Sequence, residues 1–469
     1  TLLALAAIAM ILDATRDSRQ AAWLGWAFGV GYFALVLNWL VEPFLVDIAR
    51  HGWMAPFALI LMAGGLALFW ALPAWIGFAG ARSPVARLWW IAFGLLAAEA
   101  LRGHVFTGFP WAMIGHIWVD TPLAQIAAFG GPHALTLMTV VLAWALIPRD
   151  RWQGVAVAVV VGLVAVTVVL RPDPISGLVA DAPTVRLIQP NAAQHLKWQP
   201  EHIGEFLQRA VNLTAAPSDT TPDLIVWPET SVPYPLNDAP QVLEAITRAA
   251  GGQPVIVGGN DRVEDGWRNT LALLGPEGQR EQVYHKYHLV PFGEYIPFGE
   301  ALSKLGIRGL ASRDGGGFSK GPGPKLIDLP GIGPALPLIC YELIFPRRLR
   351  GLPRSNVILQ ITNDAWFGNI SGPYQHLAQA RLRAVEQGLP LVRAANTGIS
   401  AVIDPWGRVT AETQLNVAAY LDAALPKPAA PTLYAQFYDW PMRVLLALLL
   451  VWRIAARRRL SIDRVPPQE

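Results

Sequence analysis

Cysteine is nearly absent from this chain: Cys340 is the only one in 469 residues. An internal disulfide is therefore excluded, and the thiol is either a small buried hydrophobe or a nucleophile. Charge is also scarce. Charged residues make up 15% of the chain, against 53% hydrophobic ones and a mean hydropathy of +0.34, where a soluble domain carries about 25% charge. The shortage is local, since residues 1–172 contain nine arginines and no lysine. The net charge of +3 is too small to call for a nucleic-acid partner. No P-loop, dinucleotide fingerprint, zinc-ligand spacing or internal repeat is present, so neither a metal nor an organic cofactor is expected.

What fills the first third is long uncharged runs. About 20 apolar residues cross a bilayer. The stretches 21–41, 52–81, 121–148 and 153–170 are long enough alone, and 88–98 reaches that length by continuing through Glu99. The shorter runs 1–12 and 444–452 complete seven expected spans, with Arg443 and Arg453 snorkelling at the ends of the last. Arg16, Arg19, Arg82, Arg87, Arg149 and Arg151 fall in alternate loops, and Arg457, Arg458 and Arg459 follow the last span. By the positive-inside rule these loops are cytoplasmic, which puts the large domain on the opposite side. The first span then starts outside, and the first residue is Thr1. We therefore expect a preceding segment, with a cleaved signal peptide as the competing explanation.

The expected organisation is a polytopic helical membrane region over 1–171, a soluble α/β domain over 183–425, a final span over 440–457 and a basic tail over 458–469. In the α/β domain, Val185–Gln189, Leu224–Trp227, Val255–Gly258, Thr270–Leu274, Ala335–Ile339, Val357–Thr362, Leu391–Ala394 and Ser400–Ile403 read as strands. Glu201–Leu213, Pro240–Ala250 and Gln375–Gln387 read as helices. Continuous apolar strands with intervening helices point to sheets covered on both faces. The Gly-rich stretch Gly315–Gly323 reads as a flexible surface arm, and Tyr434, Phe437, Tyr438 and Trp440 as an interfacial aromatic belt.

Three segments carry chemistry. Cys340 closes the apolar run before Tyr341-Glu342, Glu229 follows Trp227-Pro228, and Lys286 follows His285. A free thiol has a pKa of about 8.5 and needs a base or a neighbouring cation to react. Glu229 can remove the proton, and Lys286 can stabilise a thiolate and then an oxyanion. The reading rests on an ionised sulfur.

These residues resemble the Glu-Lys-Cys triad of the nitrilase (carbon–nitrogen hydrolase) superfamily. The stretch Arg393-Ala-Ala-Asn396-Thr-Gly398-Ile-Ser400 also resembles it, as does Asp404-Pro-Trp-Gly407. The helical region narrows the resemblance to the apolipoprotein N-acyltransferase family. Glu99-Ala-Leu-Arg102-Gly-His-Val-Phe106-Thr-Gly108-Phe109-Pro110-Trp111 resembles that family's signature in the helical region. Gln189-Pro190-Asn191 with Lys197-Trp198, Lys286 through Glu294-Tyr295, Cys340-Tyr341-Glu342 and Asn363-Asp364-Ala365-Trp366-Phe367-Gly368 resemble the family in the α/β domain. The resemblance implies an α-β-β-α sandwich beside the helices, with Cys340 as nucleophile, Glu229 as general base and Lys286 as oxyanion stabiliser. Glu294 and Glu342 would support them. Trp198, Tyr341 and Trp366 would line the acyl and substrate entrance, unless they are simple packing. Arg102 and Trp111 would contact a lipid headgroup or anchor a helix at the interface.

The implied reaction moves an acyl chain from a phospholipid through a thioester to the α-amine of a diacylglyceryl-cysteine on an apolipoprotein. The setting would be a bacterial inner membrane, with a monomeric enzyme whose catalytic domain is periplasmic. The stretch Gly315–Gly323 and the loop around Trp366 would act as lids. Two alternatives stay open at this level: a membrane-tethered amidase that passes the acyl group to water, and a lipid-binding protein without catalysis.

Overall fold

The computed structural model describes residues 1–147 and 181–462 apart from 82, 265, 298–316 and 347–349, with a few isolated positions between 148 and 180. The chain divides into two units. Helices of eight residues or more are numbered.

One unit comprises Thr1–Gly31, Gly64–Val168 and Pro431–Glu469. Its helices come from α1 (Leu2–Asp13), α2 (Ser18–Val36), α3 (Ala55–Gly80), α4 (Pro84–Arg102) and α5 (Ala127–Ala145), followed by the C-terminal helix Trp440–Ile462. Small residues let the backbones approach. A Cβ on Gly29 would fall 2.9 Å from Ala67, and one on Gly94 would fall 2.9 Å from Pro73, the close packing that helices use where lipid gives no hydrophobic drive. Among the described residues, Ile48–Gly80 and Pro122–Ala145 are long and apolar enough to cross a membrane. Ser18–Val36 with Asn38–Leu45 would be a third if that pair, bent by 67°, counts as one span. Leu2–Asp13 and Trp440–Val451 are shorter apolar helices. The expected span 153–170 lies largely outside the described residues.

Glu99 and Arg102 are paired inside this unit. Glu99 accepts from the Ile114 amide at 2.8 Å and the Thr136 hydroxyl at 2.7 Å. The Arg102 guanidinium donates to the carbonyls of Phe109, Trp111 and Ala112. Arg102 is 2% exposed and Trp111 1%. A guanidinium buried among three carbonyls ties down the 109–112 loop. Tyr434 leaves the expected belt. It is fully buried against Gly131, where a Cβ would meet its ring at 2.3 Å, and its hydroxyl donates to Asp439 at 2.9 Å. Phe437 and Trp440 are half exposed.

The other unit comprises Tyr32–Ala63 and Val169–Ala430 and is built on two six-stranded sheets. In the first, β1 (Thr184–Gln189), β2 (Leu224–Val226) and β3 (Val255–Val263) run parallel. β4 (Gly266–Leu274) and β5 (Arg280–His285) turn back antiparallel, and β12 (Ala419–Ala424) closes the other edge. In the second, β7 (Gly333–Ile339), β8 (Val357–Thr362) and β9 (Leu391–Ala395) are parallel. β6 (Ile327–Leu329) flanks them on one side, and β10 (Ala401–Ile403) with β11 (Val409–Glu412) on the other. β1 meets β9 and β4 meets β7 across the sheets. Helices α6 (Pro200–Thr214) and α7 (Pro240–Ala249) cover the first sheet through Ala210, Leu243 and Ile246 packed on Ile225, Trp227 and Val255. Helix α8 (Gly372–Gln387) covers the second, with most of its residues buried. This is the expected α-β-β-α order.

The arm 317–323 is not free along this stretch. Phe318 donates to the Glu294 carbonyl, Ser319 to Trp267 and Gly321 to Lys286, at 2.7–2.8 Å. A Cβ on Gly321 would fall 2.2 Å from the His285 carbonyl. The expectation of a flexible surface arm is therefore corrected for these residues, while 315–316 lie outside the described ones.

Candidate active site

Three strand ends deliver the triad. β2 stops at Val226, β5 at His285 and β7 at Ile339, so Glu229, Lys286 and Cys340 all leave the sheets at strand C-termini. All three are buried, with exposures of 5%, 1% and 6%. Lys286 Nζ lies 2.8 Å from Glu294 Oε1 and 3.3 Å from Glu229 Oε1. Burial alone would lower the Lys286 pKa, but Glu294 and Glu229 outweigh it and hold the ammonium above the ordinary lysine range. Cys340 feels both partners electrostatically. Burial, reinforced by the Glu229 charge, pushes its thiol well above the ordinary range, and Lys286 pulls only partly back. This direction runs against the sequence reading of an ionised sulfur: burial costs the thiolate more than one shared ammonium returns.

Two supporting carboxylates have distinct tasks. Glu294 accepts from Lys286 and, through Oε2, from the Val290 amide at 2.8 Å. Glu342 bonds residues that precede and follow Lys286 in the chain. It accepts from the Tyr284 hydroxyl at 2.9 Å, the Tyr287 amide at 2.8 Å, the His288 amide at 3.0 Å and the Ile339 amide at 2.8 Å. Burial pushes the Glu342 carboxyl up. Each of these four neighbours donates, however, so it serves as an acceptor joining the Lys286 loop to the Cys340 turn.

Sequence reasoning missed Asn269. Its amide donates to Glu229 Oε1 at 2.7 Å and to Glu294 Oε1 at 3.1 Å, bracing base and support together. The available signal was a buried polar residue at the head of the apolar run Thr270–Leu274. Lys197 was quoted only as part of a motif. It is buried, donates to Thr230 Oγ1 at 2.9 Å and reaches the Glu229 carbonyl at 3.4 Å. Burial, set against the Glu229 charge, lowers its pKa to about 8. Thr230 and Cys340 both have left-handed backbones, φ 48° and 52°, a strain typical of residues that a site holds in place.

The segments noted in the sequence also converge. The Asn363 amide donates to Glu229 Oε2 at 2.8 Å, the Asn363 side chain to Gln194 at 2.7 Å, and Asn396 to Asn363 Oδ1 at 2.9 Å. Tyr341 is buried beside Cys340 and stacks on His288 at 5.7 Å. Trp198 is half buried, with Lys197 5.5 Å over its ring. Trp366 is half buried in the turn after β8, where Phe367 wedges between Trp39 (4.9 Å) and His376 (5.4 Å).

A thiol, a carboxylate and an ammonium leaving three strand ends are a set capable of acyl transfer. Residues 184–430 match the carbon-nitrogen hydrolase family model, and 1–145 match that of the apolipoprotein N-acyltransferase N-terminal domain. An apolipoprotein N-acyltransferase from Caulobacter vibrioides is 39% identical over 95% of this chain and 87% of its own length. The chain belongs to the apolipoprotein N-acyltransferase family. Another apolipoprotein N-acyltransferase, from Rhodopseudomonas palustris, is 39% identical over 94% and 87%. A solved NitN amidase from Neterenkonia sp. AN1 is 20% identical, with a TM-score of 0.41 over 56% of this chain and 98% of its own. Membership in the apolipoprotein N-acyltransferase family makes this an acyltransferase with a nitrilase-type catalytic domain fused to apolar helices.

Proposed function

We propose that this enzyme transfers an acyl chain from a phospholipid to the α-amine of a diacylglyceryl-cysteine on an apolipoprotein, through a thioester on Cys340. The observation that carries the reading is a buried thiol that feels both the Glu229 carboxylate and the Lys286 ammonium, the ammonium being held in turn by Glu229 and Glu294. Glu229 takes the thiol proton as Sγ attacks the ester carbonyl, and the oxyanion forms against Lys286. Collapse breaks the ester C–O bond, and Glu229 returns the proton to the leaving oxygen of the lysophospholipid. The α-amine then attacks the thioester and gives its proton to Glu229. The C–S bond breaks and the proton returns to sulfur. One base serves both halves because the first releases an alcohol and the second consumes an amine.

The acyl chains argue for work at a membrane, since each buried methylene is worth about 0.8 kcal/mol and neither substrate leaves the bilayer readily. Trp198, Tyr341 and Trp366 are the aromatic surface we assign to the acyl entrance. The arginine pattern supports a multi-pass inner-membrane protein with a periplasmic catalytic domain. The triad is complete within one chain, which supports a monomer. Intact mass after incubation with phospholipid tests this: one acyl adduct on wild type and none on Cys340→Ala is expected. An adduct on the Cys340→Ala protein overturns the assignment. If a lipopeptide amine gains no acyl group while fatty acid accumulates, the protein is a hydrolase instead.

A further inference from the structure

In contact with the Cys340 carbonyl lies a second polar network that the proposed triad chemistry leaves unused. Asp364, Arg393, His376 and Gln360 are all fully buried. Arg393 pairs with Asp364 and donates to Gln360 Oε1 at 2.6 Å. His376 Nδ1 lies 2.9 Å from Asp364 Oδ1. His376 Nε2 lies 3.2 Å from Gln360 Nε2, and Gln360 Nε2 lies 3.4 Å from the Cys340 carbonyl.

Asp364, against Arg393, is a pure acceptor, so His376 carries a proton on Nδ1, and Arg393 Nη2 lies 3.3 Å from the same nitrogen. Gln360, its Oε1 held by Arg393, turns its amide toward His376 Nε2 and the Cys340 carbonyl, which acts on the ring as well. The imidazole is neutral, in line with its burial beside Arg393. The chain Asp364–His376–Gln360 thus fixes an amide donor under a carbonyl whose residue has a strained φ of 52°. A peptide in that conformation stays there only if its surroundings hold it, and its rotation would swing Sγ away from Glu229 and Lys286.

We propose that His376 is a positioning residue for Cys340, acting through Gln360 on the nucleophile's carbonyl and touching neither substrate nor the reacting atoms. The proposal rests on Cys340 being the nucleophile. The test uses the full chain in detergent and reads two rates: iodoacetamide alkylation of Cys340, and single-turnover acyl-enzyme formation with its dependence on phospholipid concentration. His376→Leu is expected to slow both by about a hundredfold, the cost of small misplacements at a reacting centre, with half-saturation by phospholipid unchanged. His376→Gln, which can restore an acceptor near the Nε2 position, recovers at least part of both rates. Gln360→Glu is the second variant. It keeps its size and its Arg393 partner, so it guards against misfolding, yet it loses both donors and is expected to react as slowly as His376→Leu. Wild-type alkylation in His376→Leu or in folded Gln360→Glu overturns the proposal. So does a defect confined to phospholipid saturation. If Cys340→Ala still forms an acyl-enzyme, the functional reading fails on its own, whereas the alkylation rates continue to report on this network.

Discussion

Lys286 stands closer to Glu294 than to Glu229, at 2.8 Å against 3.3 Å. On the proposed mechanism Glu294 anchors the ammonium and leaves Glu229 to accept the proton. Glu294→Gln should shift the lysine charge onto Glu229 alone and weaken it as a base. Acyl-enzyme formation should fall at least about a hundredfold, the low end of what a general base contributes. Single-turnover acylation checks it, and an unchanged rate would mean Glu294 is only structural.

Lys197 gives the site a titration of its own. Its pKa is lowered to about 8. Below that pH it is charged and depresses the basicity of Glu229; above it the charge is gone. Acyl-enzyme formation should therefore rise through a step near pH 8, and Lys197→Met should remove the step. The measurement is the pH profile of single-turnover acylation on both proteins.

Asp364 joins Arg393, His376 and Thr362 in a buried cluster. Although burial opposes ionisation, Arg393 and His376 overcome it and lower the Asp364 pKa from 3.8 to about 2. A carboxylate whose folded pKa is depressed stabilises the fold above its unfolded pKa and loses that contribution as pH falls through the folded one. The window lies between about 4 and 2. Asp364→Asn leaves Arg393 buried without its counter-ion and should cost about 3–5 kcal/mol at neutral pH, read from the denaturant midpoint.

Gly258 tests the fit around the base. A Cβ there would fall 2.3 Å from the Pro228 carbonyl and 2.7 Å from the Glu229 Cα. Gly258→Ala must push Glu229 aside. We expect acylation to drop by about two orders of magnitude while iodoacetamide still labels Cys340. Wild-type acylation in this variant would show that the base tolerates displacement.

The sequence alone determined the central strands, because continuous apolar runs mark strands buried on both faces. It placed Glu229 and Cys340 each after its own strand, though not Lys286, and its lack of charge marked the helical region. The four strands it did not reveal, β5, β6, β11 and β12, are the edges of the two sheets. Edges are half exposed, mix polar with apolar residues and carry no continuous run. Tertiary structure alone decided who stands beside whom. Glu229 meets the Asn363 amide across 134 residues of chain, and Tyr284 meets Glu342 across 58. No local pattern encodes such pairs. The direction of titration was decided in the same way: burial pushes the Cys340 thiol up and the Lys197 ammonium down, and burial belongs to the folded whole. Arg102 reads in the sequence as a membrane-flanking charge, but the carbonyls turned toward it make it a clamp on its own loop.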